Sequence, residues 1–459
     1  MGEKELPEGW CYAVFKDIAT YVIGGDWGKD PESILDEGFQ HVLCIRGGEI
    51  KNWRKNRGKT ASLRAIKLSS LKSRELILWD ILLEISGGGP DQPVGRTVLI
   101  DETVLDFESN IPKVCTNFLR LIRISKELNR KYINYYLQYF YASGEVIKYQ
   151  GGSNNLRNLK YKEYETINIP LPPLAEQNRI VEKLDKLFAS IEIVKAKLDA
   201  IPEVLKNFRQ AVLSQAVTGK LTKIKVQHVK LSELLEDVKY GTSKKSEYTI
   251  NGVPIFRIPN IKNGEIDETD LKFSILEEKE FQQLKLKEGD ILIIRSNGSP
   301  SLVGQCAIVR INHVNYSYAG YLIRLRVNEK LDSEYLNYVL RSNFLRNQIE
   351  EVSRSTNGIN NINSDEIKNL IIPLTVIEEQ NEIVSKMNIL FAKANLIEKQ
   401  YQVLKTQIDN LPQAILSKAF RGELVAQNPN DEPASDLLER IKETQSLNKK
   451  ISKLTQVLA

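Results

Sequence analysis

Two stretches of the chain carry apolar side chains at alternating spacings of four and three residues. Ile180, Leu184, Leu187, Ile191, Val194, Leu198 and Ile201 form the first; Ile383, Met387, Leu390, Ala394, Ile397, Tyr401, Leu404, Ile408 and Leu411 form the second. That period of about 3.5 is the a/d stripe of a long helix paired with another. Glu182, Lys183, Asp185 and Lys186 fill the polar face between the stripe positions. The pattern fits a mutual pair, with Ile180, Leu184, Leu187 and Ile191 as one side of the seam and Ile383, Met387, Leu390 and Ile397 as the other. Two helices packed separately on their own domains is the plainer alternative. Pro170, Pro172 and Pro173 precede the first stripe and Pro373 the second, as proline is tolerated only at a helix start. Pro202 and Pro412 should break or kink the two helices, and Gly219 and Gly422 should stop the short helices that follow. A helix of about 28 residues is about 40 Å long, enough to hold two domains about one DNA turn, some 34–36 Å, apart.

The two stripes are copies of one another. IPLPPLAEQNRIVEKLDKLFA (169–189) aligns without a gap on IPLTVIEEQNEIVSKMNILFA (372–392), and QAVLSQAVTGKL (210–221) aligns on QAILSKAFRGEL (413–424) at the same offset. A looser repeat precedes each: KDIATYVIGG (16–25) parallels SELLEDVKYG (232–241), and WDILLEISGGGP (79–90) parallels GDILIIRSNGSP (289–300). Short β-branched runs (ILLEIS, VLIDET, FLRLIRI; ILIIRS, AIVRI, YLIRLRV) read as strands, with helices over Lys131–Ala142 and Ser333–Asn347. The expected fold is α+β: two α/β domains, 1–168 and 225–371, separated by two long coiled-coil helices in regions 169–224 and 372–425, with pseudo-two-fold internal symmetry. After a Pro/Asn linker, the segment 426–459 carries Leu437, Leu438, Ile441, Leu447, Ile451 and Leu454, a helix in need of a partner surface.

Composition narrows the class. With 42% hydrophobic and 27% charged residues, the chain can build large cores. It has no apolar run of about 18 residues and no apolar N-terminal stretch, so neither a membrane span nor a signal peptide is expected. Cys11, Cys44, Cys115 and Cys306 are scattered, as buried reduced thiols of a cytoplasmic protein are, and three dispersed histidines make no zinc site. The net charge of +5 is unevenly placed: nine basic residues and no acidic one lie between Ile50 and Arg74, with Asn52 and Trp53 among them. Such a run is either a solvated face or a phosphate-binding surface.

No motif of catalysis is visible. GGDWGKD (24–30) lacks the phosphate-loop spacing, and there is no methyltransferase turn, HExxH or GxSxG. What remains suits recognition. Gly24–Lys29 and Tyr240–Lys245 are equivalent loops with free backbone N–H groups and lysines; Gln150–Asn158 and Ser353–Asn361 each carry one arginine amid amides and hydroxyls. Arg and Asn read base edges bidentately, whereas Lys, Ser and backbone N–H groups hold phosphates. These residues are also the ordinary stuff of loops, but their recurrence at matching places in both halves favours a binding role.

IPLPPLAEQNRIV and QAVLSQAVTGKL, repeated as IPLTVIEEQNEIV and QAILSKAFRGEL, resemble the specificity subunit of type I restriction–modification systems, and LPEGW…KDIA…GG is similar to the start of that family's first target-recognition domain. The resemblance implies a noncatalytic DNA-binding subunit in which each domain reads one half of a bipartite double-stranded sequence. It implies that the long helices pair antiparallel and dock two modification (methyltransferase) subunits, to which restriction subunits add. It places S-adenosylmethionine, ATP and magnesium in those partners, with no cofactor, metal or membrane contact in this chain. The residues expected at the first half-site are Trp27, Lys29, Arg46, Lys51, Asn52, Trp53, Arg54, Arg57 and Arg157. At the second they are Lys244, Lys245, Arg257, Asn260, Lys262, Arg295, Asn297 and Arg354. The tail is expected to dock a modification subunit. The competing class is a coiled-coil adaptor between proteins, its basic surface incidental.

Overall fold

The computed structural model describes residues 6–33, 38–89, 92–152, 157–223, 225–248, 251–353 and 360–458, with side chains described as far as 447. The chain forms two compact units, one of residues 1–196 and 405–459, the other of residues 197–404.

The first unit is built on a four-stranded antiparallel sheet in the order Ala19–Gly24, Leu119–Ile124, Ile81–Glu84, Thr97–Leu99. Ile81 and Leu83 face a cluster with Tyr132, Ile133 and Leu137 of the helix Arg130–Ala142, whereas Leu82 faces a second cluster with Ile45, Val98 and Leu121. Burial on both faces is why this strand reads as an unbroken apolar run rather than an alternation. A smaller sheet (Ser62–Lys67, Phe39–Ile45, Lys113–Cys115) has one antiparallel and one parallel pairing.

The second unit repeats the plan. Leu235–Tyr240, Leu322–Val327, Ile291–Ile294 and Cys306–Ile308 form the same sheet order, and Ile255 pairs with Ser317 in parallel as Cys44 pairs with Val114. Ile291 and Ile293 face one cluster and Leu292 and Ile294 another. The helix expected over Ser333–Asn347 is two, Ser333–Arg341 and Asn343–Val352. The Ser342 side chain accepts from the Leu345 N–H and starts the second.

Buried polar contacts are duplicated as faithfully as the sheets. Asp80 holds Arg123 (3.0 Å) and Asp290 holds Arg326 (2.8 Å). The Tyr132 hydroxyl donates to the Pro170 carbonyl and that of Tyr335 to the Pro373 carbonyl. Gln177 and Gln380, both fully buried, accept from the backbone N–H of Asn129 and Asp332, the residues that cap the following helices. The repeated EQN triplet thus fastens each long helix to its own domain.

The first long helix runs from Leu174 to Asp199, and Pro202 lies in the first turn of the next, Ile201–Val217. The second long helix, Ile377–Ala419, does not stop at Pro412. A proline inside a helix costs about 3 kcal/mol. Ile408, Ile415, Leu416 and Ala419, in the first unit's core, hold the helix on either side of it. Gly219 and Gly422 take left-handed backbone past the helix ends (φ 69° and 73°). Each unit contains one antiparallel helix pairing. In the first, Ile180, Leu184, Phe188 and Ile191 share a cluster with Leu416 and Ala419, and Lys195 pairs with Asp409 at 2.8 Å. In the second, Val212, Leu213, Ala216 and Val217 share one with Ile383, Met387 and Phe391, and Arg209 reaches Asn395 and Glu398. The residues expected to face one another across one seam share no cluster: Ile180, Leu184 and Ile191 lie in the first unit's core and Ile383 and Met387 in the second's, while Leu187 and Leu390 are half-buried and Ile397 is exposed.

The tail helix, Ala434–Leu458, packs on the first unit. Leu437, Leu438 and Ile441 join its main core, the Ala434 N–H donates to the Gly9 carbonyl, and Gln445 donates to the Asp17 carbonyl. Among the described residues no helix is long and apolar enough to cross a membrane.

Candidate nucleic-acid interface

In each unit the divergent loops gather at one end of the four-stranded sheet. In the first unit Gly24 ends its strand opposite Arg120, Glu84 ends its strand opposite Leu119, and Thr97 begins the next opposite Leu83. The loops that leave this end carry Trp27 and Lys29, Phe118, and Ser86–Gly88. The last segment pairs with Arg157–Leu159, which pairs with Gln150–Gly151. Arg46 follows the strand Phe39–Ile45 and lies beside the same turn, because the Thr116 N–H donates to the Ile45 carbonyl. In the second unit the corresponding end carries Tyr240, Lys244, Tyr321 and Ser296–Asn297, the last paired with Asn360–Asn361. Arg257 matches Arg46, with the Ala319 N–H donating to the Phe256 carbonyl.

Two glycines set this geometry. A Cβ on Gly25 would lie 2.2 Å from the Cys115 and Thr116 carbonyl oxygens. One on Gly241 would lie 2.3 Å from that of Tyr318 and 2.4 Å from that of Ala319. Only glycine lets the loop lie this close to the neighbouring turn.

The expected residues divide into exposed groups and groups already engaged. Trp27 is covered by the Arg64 guanidinium, 4.4 Å from the ring centre, and Lys29 lies over Phe39. Arg46 keeps an exposed guanidinium tied to Glu49 at 2.8 Å. Lys51 and Asn52 are exposed; Arg54 pairs with Glu192 and Arg57 with Asp101. Trp53 is a core residue, 6% exposed, in the cluster of Ile45, Val98 and Val104, and cannot reach a base. Asn260 is likewise fully buried. It accepts from the Arg257 N–H and donates to the Asp267 and Asp270 carbonyls, so its amide shapes a turn instead of facing outward. Arg157 is half-buried in its strand, and Asn297 accepts from the Ser299 N–H. Arg295 stacks on Tyr240, 4.6 Å from the ring centre, and its buried Nε lacks a hydrogen-bond partner. Arg354 lies outside the described residues.

The cations of the candidate loops are engaged differently in the two units. In the second, carboxylates pair with four of the expected cations: Lys244 meets Glu280 at 3.0 Å, Lys245 meets Glu247 at 2.8 Å, Arg257 meets Asp270 at 2.9 Å, and Lys262 pairs with Asp267. The last contact holds the Asp267 carboxyl well below the usual range. In the first, Lys51, Lys55, Lys59, Lys67 and Lys72 are exposed without an ion-pair partner among the described residues. The basic run is therefore part structure (Arg57, Arg64, Arg74) and part open cationic surface. The thiols take no part: burial pushes Cys44 up to about 12 and Cys306 up to about 11.

Two aromatics were missed from sequence. Phe118 (48% exposed) and Tyr321 (64% exposed) project from the same turn in the two units. The 203-residue offset of the helical repeat aligns them, but each sits in a short divergent segment (TNFL, AGYL) with no pattern of its own.

The chain matches the family model described as "Type I restriction modification DNA specificity domain" over residues 77–203 and 223–406. It is 33% identical over 461 aligned residues to the type I restriction enzyme EcoKI specificity subunit of Escherichia coli (strain K12), covering 96% of this chain and 97% of that one. It is 32% identical to the StySPI specificity subunit of Salmonella potsdam, covering 96% of each. Its fold is similar to the crystal structure of the HsdS subunit from Thermoanaerobacter tengcongensis, with a TM-score of 0.59 and 20% identity over 92% of this chain and 99% of that one.

Proposed function

The chain belongs to the family of type I restriction–modification DNA specificity subunits, and from that premise we infer that its two units share the reading of one bipartite DNA sequence. It is the noncatalytic specificity subunit of a type I restriction–modification complex, recognising DNA and scaffolding the methyltransferase and restriction subunits. The observation that carries the division of labour is the repeated loop cluster. A common sheet end, fixed by Gly25 and Gly241, presents unlike side chains in the two units. A constant frame with divergent loops is how two related domains read two unlike half-sites.

In this reading the first unit contacts its half-site through Trp27, Lys29, Arg46 and Phe118, with Lys51, Lys55 and Lys59 on phosphates. The second uses Tyr240, Arg295, Asn297 and Tyr321, with the lysines of its loops, Lys244, Lys245 and Lys262, already paired. Affinity should therefore draw more of its salt dependence from the first unit, each neutralised phosphate adding about 0.9 to the log–log slope. Two modification subunits, carrying S-adenosylmethionine, dock on the helical scaffold. ATP and magnesium belong to the restriction subunits. The target adenine leaves the stack to reach a methyltransferase pocket, and this chain sets where.

Methylation mapping of genomic DNA tests the reading, in cells carrying this chain with the modification subunit of its system. The expected result is one split motif with adenine methylated in both halves, abolished by deletion of this chain. A stable complex that leaves no methylated motif would overturn it.

A further inference from the structure

Trp79 has left-handed backbone, φ 69°, a conformation that large side chains avoid. The repeat shows what that position needs structurally. Its counterpart is Gly289, φ 84°, in a turn that matches bond for bond. The Trp79 and Gly289 N–H groups donate to the Ile100 and Val309 carbonyls. The Asp80 and Asp290 carboxylates accept from the Ile77 and Lys287 N–H groups. The turn is therefore complete with glycine, and the indole is an addition to it that carries strain. Strain of this kind points to a use for the side chain.

The indole walls two adjoining cavities, of about 250 and 520 Å³. Both also touch Lys126 and Arg130, and the larger is floored by Leu174, Asn178 and Val181 of the first long helix. Lys131 lies 5.3 Å from the centre of the indole ring and is paired with Asp185, and Arg123 is paired with Asp80. Lys126 and Arg130 supply the remaining positive charge, against Glu127. The equivalent place in the second unit is chemically inverted. Lys126, Arg130 and Lys131 become Glu329, Ser333 and Glu334, and Ser333 lies so close to Gly289 that a Cβ there would meet its hydroxyl at 2.9 Å.

The strands fix which way the cleft faces. Thr20 lines it at the start of the strand whose other end, Gly24, enters the Trp27 loop. Ile124 lines it at the far end of the strand that begins beside Phe118. Six residues of strand separate the two ends by about 20 Å. The cleft thus opens at the opposite end of the sheet from the candidate DNA loops, beside the helix that serves as scaffold.

We propose that the Trp79 cleft is a docking site for a modification subunit on the first unit, taking an apolar side chain against the indole and a neighbouring carboxylate on Lys126 and Arg130. This rests on the reading of the chain as a specificity subunit. A tryptophan in a partly enclosed pocket is the usual form of an interface anchor. The second unit has Gly289, Glu329 and Glu334 at the matching place, so identical partner subunits meet unlike surfaces there.

The test uses the full chain with the modification subunit of its own system. Trp79→Gly and Lys126→Glu/Arg130→Glu are compared with wild type for thermal unfolding, modification-subunit affinity and stoichiometry, and DNA affinity of the saturated complex. Trp79→Gly is expected to unfold at the same or a higher temperature, because strain is relieved, while one modification subunit binds at least tenfold more weakly. The charge reversal should weaken the same step without altering the fold. DNA affinity of the saturated complex should be unchanged. Wild-type affinity for both modification subunits in the variants would overturn the proposal alone. Lost DNA affinity with intact protein affinity would move the indole to the DNA interface. Altered self-association would make the occupant a second copy of this chain. Failure of wild type itself to bind a modification subunit would instead remove the functional reading on which the proposal stands.

Discussion

Three turns show how one backbone device carries different side chains. Glu49, Asn260 and His313 each accept from the backbone N–H three residues earlier, of Arg46, Arg257 and Arg310. The patterns RGGE, RIPN and RINH do not advertise a shared role, and Asn260 was expected on DNA because its free amide suits a base edge. Burial decided otherwise. His313 is the member that titrates near neutral pH. Its Nδ1 accepts the Arg310 N–H at 3.1 Å, its ring packs on Phe256, and burial lowers its pKa despite Glu268 nearby. A histidine whose folded pKa lies below the unfolded value resists protonation in the fold. Its contribution is intact above about pH 6.5 and is lost as pH falls from there towards the folded value. The second unit should lose stability as pH falls below about 6.5, and His313→Asn, which keeps an acceptor, should flatten that slope. Hydrogen exchange of the strand Ile291–Ile294 across this pH range measures it; equal slopes in both proteins would refute the assignment.

At the scale of the element, the glutamine of the EQN triplet explains why the helical repeat is so well preserved within the chain. Gln177 accepts from the Asn129 N–H at 3.0 Å and donates to the Pro172 carbonyl at 2.9 Å. Gln380 accepts from the Asp332 N–H at 2.8 Å and donates to the Lys330 and Thr375 carbonyls. Truncation leaves buried backbone groups unpaired, at about 1–3 kcal/mol each. Gln177→Ala should therefore destabilise the first unit by about 2–4 kcal/mol and spare the second, with Gln380→Ala doing the reverse. Amide protection in the helices Arg130–Ala142 and Ser333–Arg341 separates the two effects. The period of 3.5 was plain in sequence, but the side chains that the stripe meets were not. Ile180 and Ile383 look alike in pattern and go to different cores, and Pro412 sits within a helix because Ile408 and Leu416 are anchored on either side.

At the scale of the molecule, the first unit is closed by the helix Ala434–Leu458. Leu437, Leu438 and Ile441 lie in the same core as Trp10, Phe15 and Tyr132, and burying each side chain is worth about 1.5–3 kcal/mol. Deleting 426–459 should expose that core, with protection lost first in Cys11–Val14 and Phe15–Ile18 while the second unit's strands stay protected. Uniform protection in the truncated chain would show that the tail helix adds nothing to the fold. The sequence by itself determined the duplication, the strand runs, the long helices and the family, because these rest on periodicity and on repeated residues that any alignment exposes. Only the tertiary structure decided which polar side chains are free. Trp53 and Asn260 are buried, Lys244, Lys245 and Lys262 are neutralised, and Phe118 and Tyr321 are displayed. Some of the partners are distant in the chain, as Glu280 is from Lys244, and others near, as Glu247 is from Lys245, and a linear pattern does not record which of these meetings the fold brings about.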